Sequence, residues 1–145
     1  MTLHAPYDPD NIFAKMLRGD IPAIKVFEDD IALAFMDIFP QSPGHVLVIP
    51  KDVEARNMLD MPADKIGPYM QRVQRIAKAV DISLKPDGIV ITQFNGTPAG
   101  QTVFHLHFHI IPRTDGSSLK PHATGKPADS DTLQILADKI KEALD

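Results

Sequence analysis

The chain has no cysteine, which excludes a disulfide framework, Cys-ligated zinc and thiol catalysis and leaves the redox compartment open. Histidine, carboxylate and hydroxyl chemistry remain. No run of five like charges occurs, and 15 basic against 19 acidic residues give a formal charge of −4. That balance argues against a dedicated nucleic-acid or membrane surface. No window approaches the roughly 18 apolar residues of a membrane span. The opening MTLHAPYDPDNIF lacks a basic region followed by an apolar stretch, so the expectation is a soluble, cytoplasmic protein. Internal repeats and long low-complexity linkers are also missing. The 145 residues suit a single domain, 1–145, that buries about two-thirds of its unfolded surface.

Apolar spacing divides the chain into elements. Ile12, Phe13, Met16 and Leu17 predict a short helix between Asn11 and Arg18, ended by Gly19. IKVFED and IALAFMDI read as a hairpin turning at Asp29 and Asp30, and HVLVIPK as a strand closed by Pro50. Ile66, Met70, Val73, Ile76, Ala77, Val80 and Leu84 share one face of a long helix, weakened early by Gly67 and Pro68. DGIVITQF and TVFHLHFHII are two more strands, joined by the loop NGTPAGQ. Beyond Arg113 an irregular Gly/Pro/Ser-rich loop leads to a last helix carrying Leu133, Leu136, Ala137, Ile140 and Leu144, with Ser130 or Asp131 as N-cap. The fold class is α+β.

TVFHLHFHIIP holds three of the six histidines, His105, His107 and His109, at alternate positions. Read as one strand, it turns Val103, the histidines and Ile111 to one face and Phe104, Leu106, Phe108 and Ile110 to the other. Burial of the apolar face then fixes the register. Imidazoles two apart, roughly 6.5–7 Å at Cα, can border one small ligand.

Three readings compete for this face. The histidines could be polar cover of a half-solvated sheet. They could be metal ligands, completed by His45 or the distant His122. They could serve a phosphate site, since Asn95, Gly96, Gly100, Gln101 and Thr102 of the preceding loop combine exposed backbone N–H groups with amide and hydroxyl donors. Such a loop is also an ordinary turn in many proteins.

HLHFHII matches the H-x-H-x-H-x-x signature of the histidine-triad family, and NIFAKMLRGDIPAIKVFEDDIALAFMDIFPQSPGHVLVIPK resembles that family's N-terminal half. The similarity runs from Ile12 to Arg113. It implies an antiparallel sheet of about five strands with helices, a core of about 11–113, a homodimer, and a nucleotidyl hydrolase or transferase acting at the α-phosphate.

Carried over residue by residue, His107 is the nucleophile, His109 and His45 hold the phosphoryl oxygens or orient the site, and His105 supports the nucleophile. Asn95, Gly100, Gln101 and Thr102 form the phosphate loop. Asp37 matches the acceptor of both ribose hydroxyls, and Ile12, Phe13, Met16, Ile21, Phe35 and Ile38 match or adjoin the positions enclosing the base. Apolar residues of this kind serve equally as plain core. Neutral imidazole chemistry agrees with the nucleophile's assignment, because an ordinary pKa of about 6.5 leaves most of it unprotonated at neutral pH.

Many relatives carry a zinc-binding C-x-x-C at the first helix. Asn11 and Ala14 stand there, and Val53 stands where a histidine ligand often sits, so no structural zinc and no cofactor are expected. The resemblance favours the Hint-like or general bacterial-type branch and implies a purine nucleoside phosphoramidate hydrolase acting on AMP- or GMP-type substrates. A dinucleoside polyphosphate hydrolase is the alternative within the family. A histidine-ligated metallohydrolase and a non-catalytic nucleotide-binding protein are alternatives of other classes.

Overall fold

A computed structural model describes residues 3–117 and 126–144; His122, the distant metal-ligand candidate, lies outside them. Helix α1 (Ile12–Leu17) begins where Asn11 Oδ1 accepts the Ala14 N–H at 2.9 Å. Strands β1 (Lys25–Glu28) and β2 (Ala32–Met36) form the expected hairpin. Asp29 builds its turn by accepting the Ile31 and Ala32 N–H groups, each at 2.9 Å. Strand β3 (Val46–Pro50), helix α2 (Ala63–Leu84), strands β4 (Gly88–Thr92) and β5 (Phe108–Arg113) and helix α3 (Ser130–Glu142) complete an α+β fold. The sheet is antiparallel throughout, in the order β1-β2-β3-β5-β4.

Two boundaries differ from the sequence reading. Helix α2 starts three residues before Ile66, because Ala63, Asp64 and Lys65 form a polar first turn that an apolar period does not reveal. Asp129, rather than Ser130 or Asp131, caps α3, accepting the Thr132 N–H at 3.2 Å.

The third difference bears on the site. β5 does not run from Thr102 but begins at Phe108, so only His109 of the three histidines lies on a strand. Continuing the pairing of Val48 with Phe108 would set Pro50 opposite Leu106, and Pro50 has no N–H for a further ladder bond. The Pro50 carbonyl instead faces His105 Nε2 at 3.1 Å, and the Leu106 N–H donates to the Ala55 carbonyl at 2.8 Å. The chain therefore joins the sheet only after His105 and His107.

Each face of the sheet has its own apolar layer. Tyr69, Val73, Ile76 and Val80 of α2, with Leu133, Ala137 and Ile140 of α3, pack on Ala34, Met36, Val48, Leu106 and Ile110. The Tyr69 hydroxyl crosses this layer to donate to the Val48 carbonyl at 2.6 Å. On the opposite face Phe13, Leu33, Phe35, Leu47 and Ile49 gather Met16, Leu17 and Val103 around them. Leu106, Phe108 and Ile110 thus keep their expected side. Phe104 does not join that core: its ring lies beneath the Arg56 guanidinium, 4.1 Å from the ring centroid.

Gly44 sets the entry to β3. Its φ of +93° is a left-handed conformation, and an added Cβ would collide with Leu84 Cδ1 and lie 3.2 Å from Pro112 Cγ. Gly44→Ala is expected to cost about 1–3 kcal/mol of folding stability, read as a lower urea midpoint; an unchanged midpoint would show that the turn relaxes freely.

Candidate active site

The strand register aligns one row of side chains across the sheet: Phe35 opposite Leu47, Leu47 opposite His109, and His109 opposite Thr92. Over this row lies a pocket that is open to solvent at its mouth. Helix α1 supplies Ile12, Phe13 and Met16 to it, and the ends of β2 and β5 bring Asp37 and His109. Thr102, Val103 and His107 enter from the loop before β5.

The four histidines are buried, which removes the reading of the triad as polar cover of a half-solvated sheet: His45 is 0% exposed, His105 1%, His107 5% and His109 1%. Burial without a partner would be costly, and each ring is held by specific atoms. The partners also define the tautomers, because a carbonyl only accepts and a backbone N–H only donates. His107 Nδ1 lies 2.7 Å from the His105 carbonyl and so carries the proton, leaving Nε2 with its lone pair. Phe13 meets the His107 ring edge-on, centroids 5.0 Å apart and planes at 88°.

A second chain runs from the β2–β3 turn. The Gln41 N–H donates to His45 Nδ1 at 3.0 Å, so neutral His45 is protonated at Nε2. That nitrogen is 3.0 Å from His109 Nδ1 and 3.5 Å from Asp37 Oδ2. His109 Nδ1 then accepts, and its Nε2 carries the proton.

Asp37 and His45 meet because the one directly follows β2 and the other directly precedes the adjacent antiparallel β3, and the Asp37 N–H donates to the His45 carbonyl at 3.0 Å. Asp37 Oδ1 accepts the Phe39 N–H at 2.8 Å. Burial pushes this carboxyl up to about 6, against the lowering effect of that hydrogen bond. Burial also pushes His105 down to about 4, so it stays neutral at ordinary pH.

Of the residues singled out in the sequence, Ile12, Phe13, Met16, Phe35, Asp37, Ile38, Thr102, His107 and His109 line the pocket. His45 and His105 sit behind it as hydrogen-bond partners. Ile21, partly buried after α1, is not on its wall. Gly100 adopts φ +113° and donates its N–H to the Thr97 carbonyl at 3.0 Å.

Asn95 and Gln101 hold the loop itself. Asn95 Oδ1 accepts from the Met58 N–H at 2.9 Å and from Gln93 Nε2 at 2.7 Å. Gln101 Oε1 accepts the Gly96 N–H at 2.8 Å, and its Nε2 donates to the Arg56 carbonyl at 2.8 Å and the Val103 carbonyl at 3.1 Å. Met36, Phe39, Leu47 and Val103 were missed as lining residues. Val103 had a usable signal, its place on the histidines' side of TVFHLHFHII, whereas the position of Leu47 follows from its pairing opposite Phe35, which only the fold displays.

Asp37, His45 and His109 each offer one ligand atom, all within 4.8 Å of one another. Two imidazoles and a carboxylate suit a divalent transition metal. The same atoms are already joined by the hydrogen-bond chain from Gln41, which accounts for their spacing with a proton in place of an ion.

Comparison with known proteins identifies the arrangement. The family model for the HIT domain matches residues 18–116. The chain is 40% identical over 139 residues to Protein hit of Bacillus subtilis (strain 168), covering 92% of this chain and 93% of that protein. It is 36% identical over 144 residues to the adenosine 5′-monophosphoramidase of Saccharomyces cerevisiae, covering 99% and 87%. A crystal structure of a Hit-like protein involved in cell-cycle regulation from Bartonella henselae superposes with a TM-score of 0.88 at 48% identity, covering 96% of this chain and 100% of that one. The chain belongs to the HIT family.

The two shifted groups oppose one another in linkage. Between pH 6.5 and about 4 the unfolded chain protonates at His105 first, so stability falls as pH drops. Between about pH 6 and 3.8 the folded chain holds the Asp37 proton more tightly, so stability rises as pH drops. A global unfolding curve therefore blends the two. Site-resolved NMR titration is expected to give His105 a midpoint near 4 and Asp37 one near 6; a His105 midpoint at the ordinary value would contradict its buried, neutral role.

Proposed function

We propose that this HIT-family protein hydrolyses purine nucleoside 5′-phosphoramidates to the nucleoside monophosphate and free amine, through a covalent nucleotidyl group on His107. The observation that carries the reading is the 2.7 Å bond between His107 Nδ1 and the His105 carbonyl. With the proton held on Nδ1, the lone pair that a nucleophile needs lies on Nε2 of a residue that lines the pocket. As Nε2 bonds to phosphorus, the ring gains positive charge with its proton still on Nδ1. The carbonyl oxygen sits where that charge develops.

In this account the P–N bond breaks as the amine takes up a proton from solvent, and a water then attacks the nucleotidyl-histidine, breaking the N–P bond, returning a proton to solvent and regenerating His107. His109, protonated on Nε2 by virtue of its bond to His45, donates to a phosphoryl oxygen, with Thr102 beside it. Asp37 at the pocket wall accepts the ribose hydroxyls, a role for an ionised carboxylate. Ile12, Phe13, Met16, Phe35 and Ile38 enclose the base. A relative named adenosine 5′-monophosphoramidase, 36% identical over 144 residues, supports the substrate class. The homodimer implied by the family resemblance has support in edge strand β4, where Ile91 is 47% exposed. Light scattering is expected to give twice the chain mass.

The test is turnover of adenosine 5′-phosphoramidate by the wild type and His107→Ala. Loss of about ten-thousand-fold in kcat/KM is expected, with the wild-type rate unchanged by a chelator. Comparable turnover in both would sink the proposal, a chelator-sensitive rate would favour a metallohydrolase, and much faster cleavage of a dinucleoside polyphosphate would move the protein to that activity.

A further inference from the structure

His105 holds the nucleophile's proton through its carbonyl, and its own ring is held at both nitrogens. Nε2 is 3.1 Å from the Pro50 carbonyl, which only accepts, so Nε2 carries the proton and Nδ1 must accept. The donor is the Tyr7 hydroxyl at 2.7 Å. The two rings also meet edge to face, centroids 5.6 Å apart and planes at 65°.

Tyr7 belongs to a segment whose placement is secured at several points. The Leu3 carbonyl accepts from Asn57 Nδ2 at 2.8 Å, the Asp8 carbonyl accepts the Asn11 N–H at 3.2 Å, and the Pro9 carbonyl accepts from Arg18 Nη1 at 2.7 Å. The segment ends at the N-cap of α1, whose Phe13 packs on His107. Partial burial raises the phenol above its ordinary value, so it remains a donor in the neutral range.

We propose that Tyr7 is a positioning residue for the nucleophile: its hydroxyl locks the His105 ring between itself and Pro50, and so keeps the His105 carbonyl on His107 Nδ1. Nothing in the signature motif contains this residue. Without the hydroxyl, His105 Nδ1 is left as a buried acceptor lacking its donor, and the ring regains freedom to turn. The carbonyl attached to it then loses its fixed direction, and His107 can place its proton on Nε2, the nitrogen whose lone pair the proposed attack uses. The inference rests on the proposed role of His107.

Tyr7→Phe separates the hydroxyl from the ring, since it keeps the edge contact and removes only the donor. In histidine-labelled protein the His105 Nδ1 resonance is expected to shift toward that of an unbonded ring nitrogen. The His107 Nδ1 proton is expected to exchange with water about tenfold faster, and kcat to fall about tenfold with KM within twofold. Wild-type exchange of the His107 proton in Tyr7→Phe overturns the proposal, whatever the rate of turnover. A wild type that does not turn over the phosphoramidate would count against the hydrolase reading alone, because the proton-exchange comparison still decides the role of Tyr7.

Discussion

The hydrogen bond between His107 Nδ1 and the His105 carbonyl depends on the chain joining the sheet no earlier than Phe108. Within a regular strand, backbone carbonyls point sideways to the neighbouring strands and would be engaged in the ladder. Pro50 stops that ladder by lacking a donor, and its carbonyl becomes the anchor of the His105 ring. A single backbone feature thus frees one carbonyl and fixes the residue that bears it. Phe13 and the apolar layer around Leu33, Phe35 and Leu47 hold the rings from the other side.

Four buried imidazoles and a buried carboxylate form an expensive arrangement that survives because donors and acceptors alternate. One sequence of bonds runs from Tyr7 through His105 to His107, and another from Gln41 through His45 to His109. Each begins at a group that can only donate or is kept protonated, so each fixes the next ring's tautomer. The two sequences end with opposite polarity at the pocket: a lone pair on His107 Nε2 and a proton on His109 Nε2. A nucleophile and a donor to the phosphoryl group are the pair that substitution at phosphorus uses.

The element order was legible because β2 and β3 are short continuous apolar runs bounded by turn residues, and α2 carries an apolar period of 3.6. The start of β5 was not legible. Alternation in TVFHLHFHII looks identical whether or not a partner strand can pair, and the limit is set by Pro50 on β3. Among site residues, Asp37, His45, His107 and His109 came from the family resemblance, and the geometry brings them together around one pocket. Gln101 looked like a free donor, since an inventory of side-chain groups does not show that the Arg56 and Val103 carbonyls take its amide hydrogens. Tyr7 carried no signal at all, because its partner lies at the far end of the chain and only the folded segment brings them together.

The central claim is that His107 Nε2 is the atom that bonds to phosphorus. Rapid-quench mass spectrometry during turnover of adenosine 5′-phosphoramidate tests it most directly. The account predicts a transient adenylyl group mapping to the peptide's His107 and disappearing as product forms. An adduct on His105 or His109, or product formed with no adduct at any time, would contradict it.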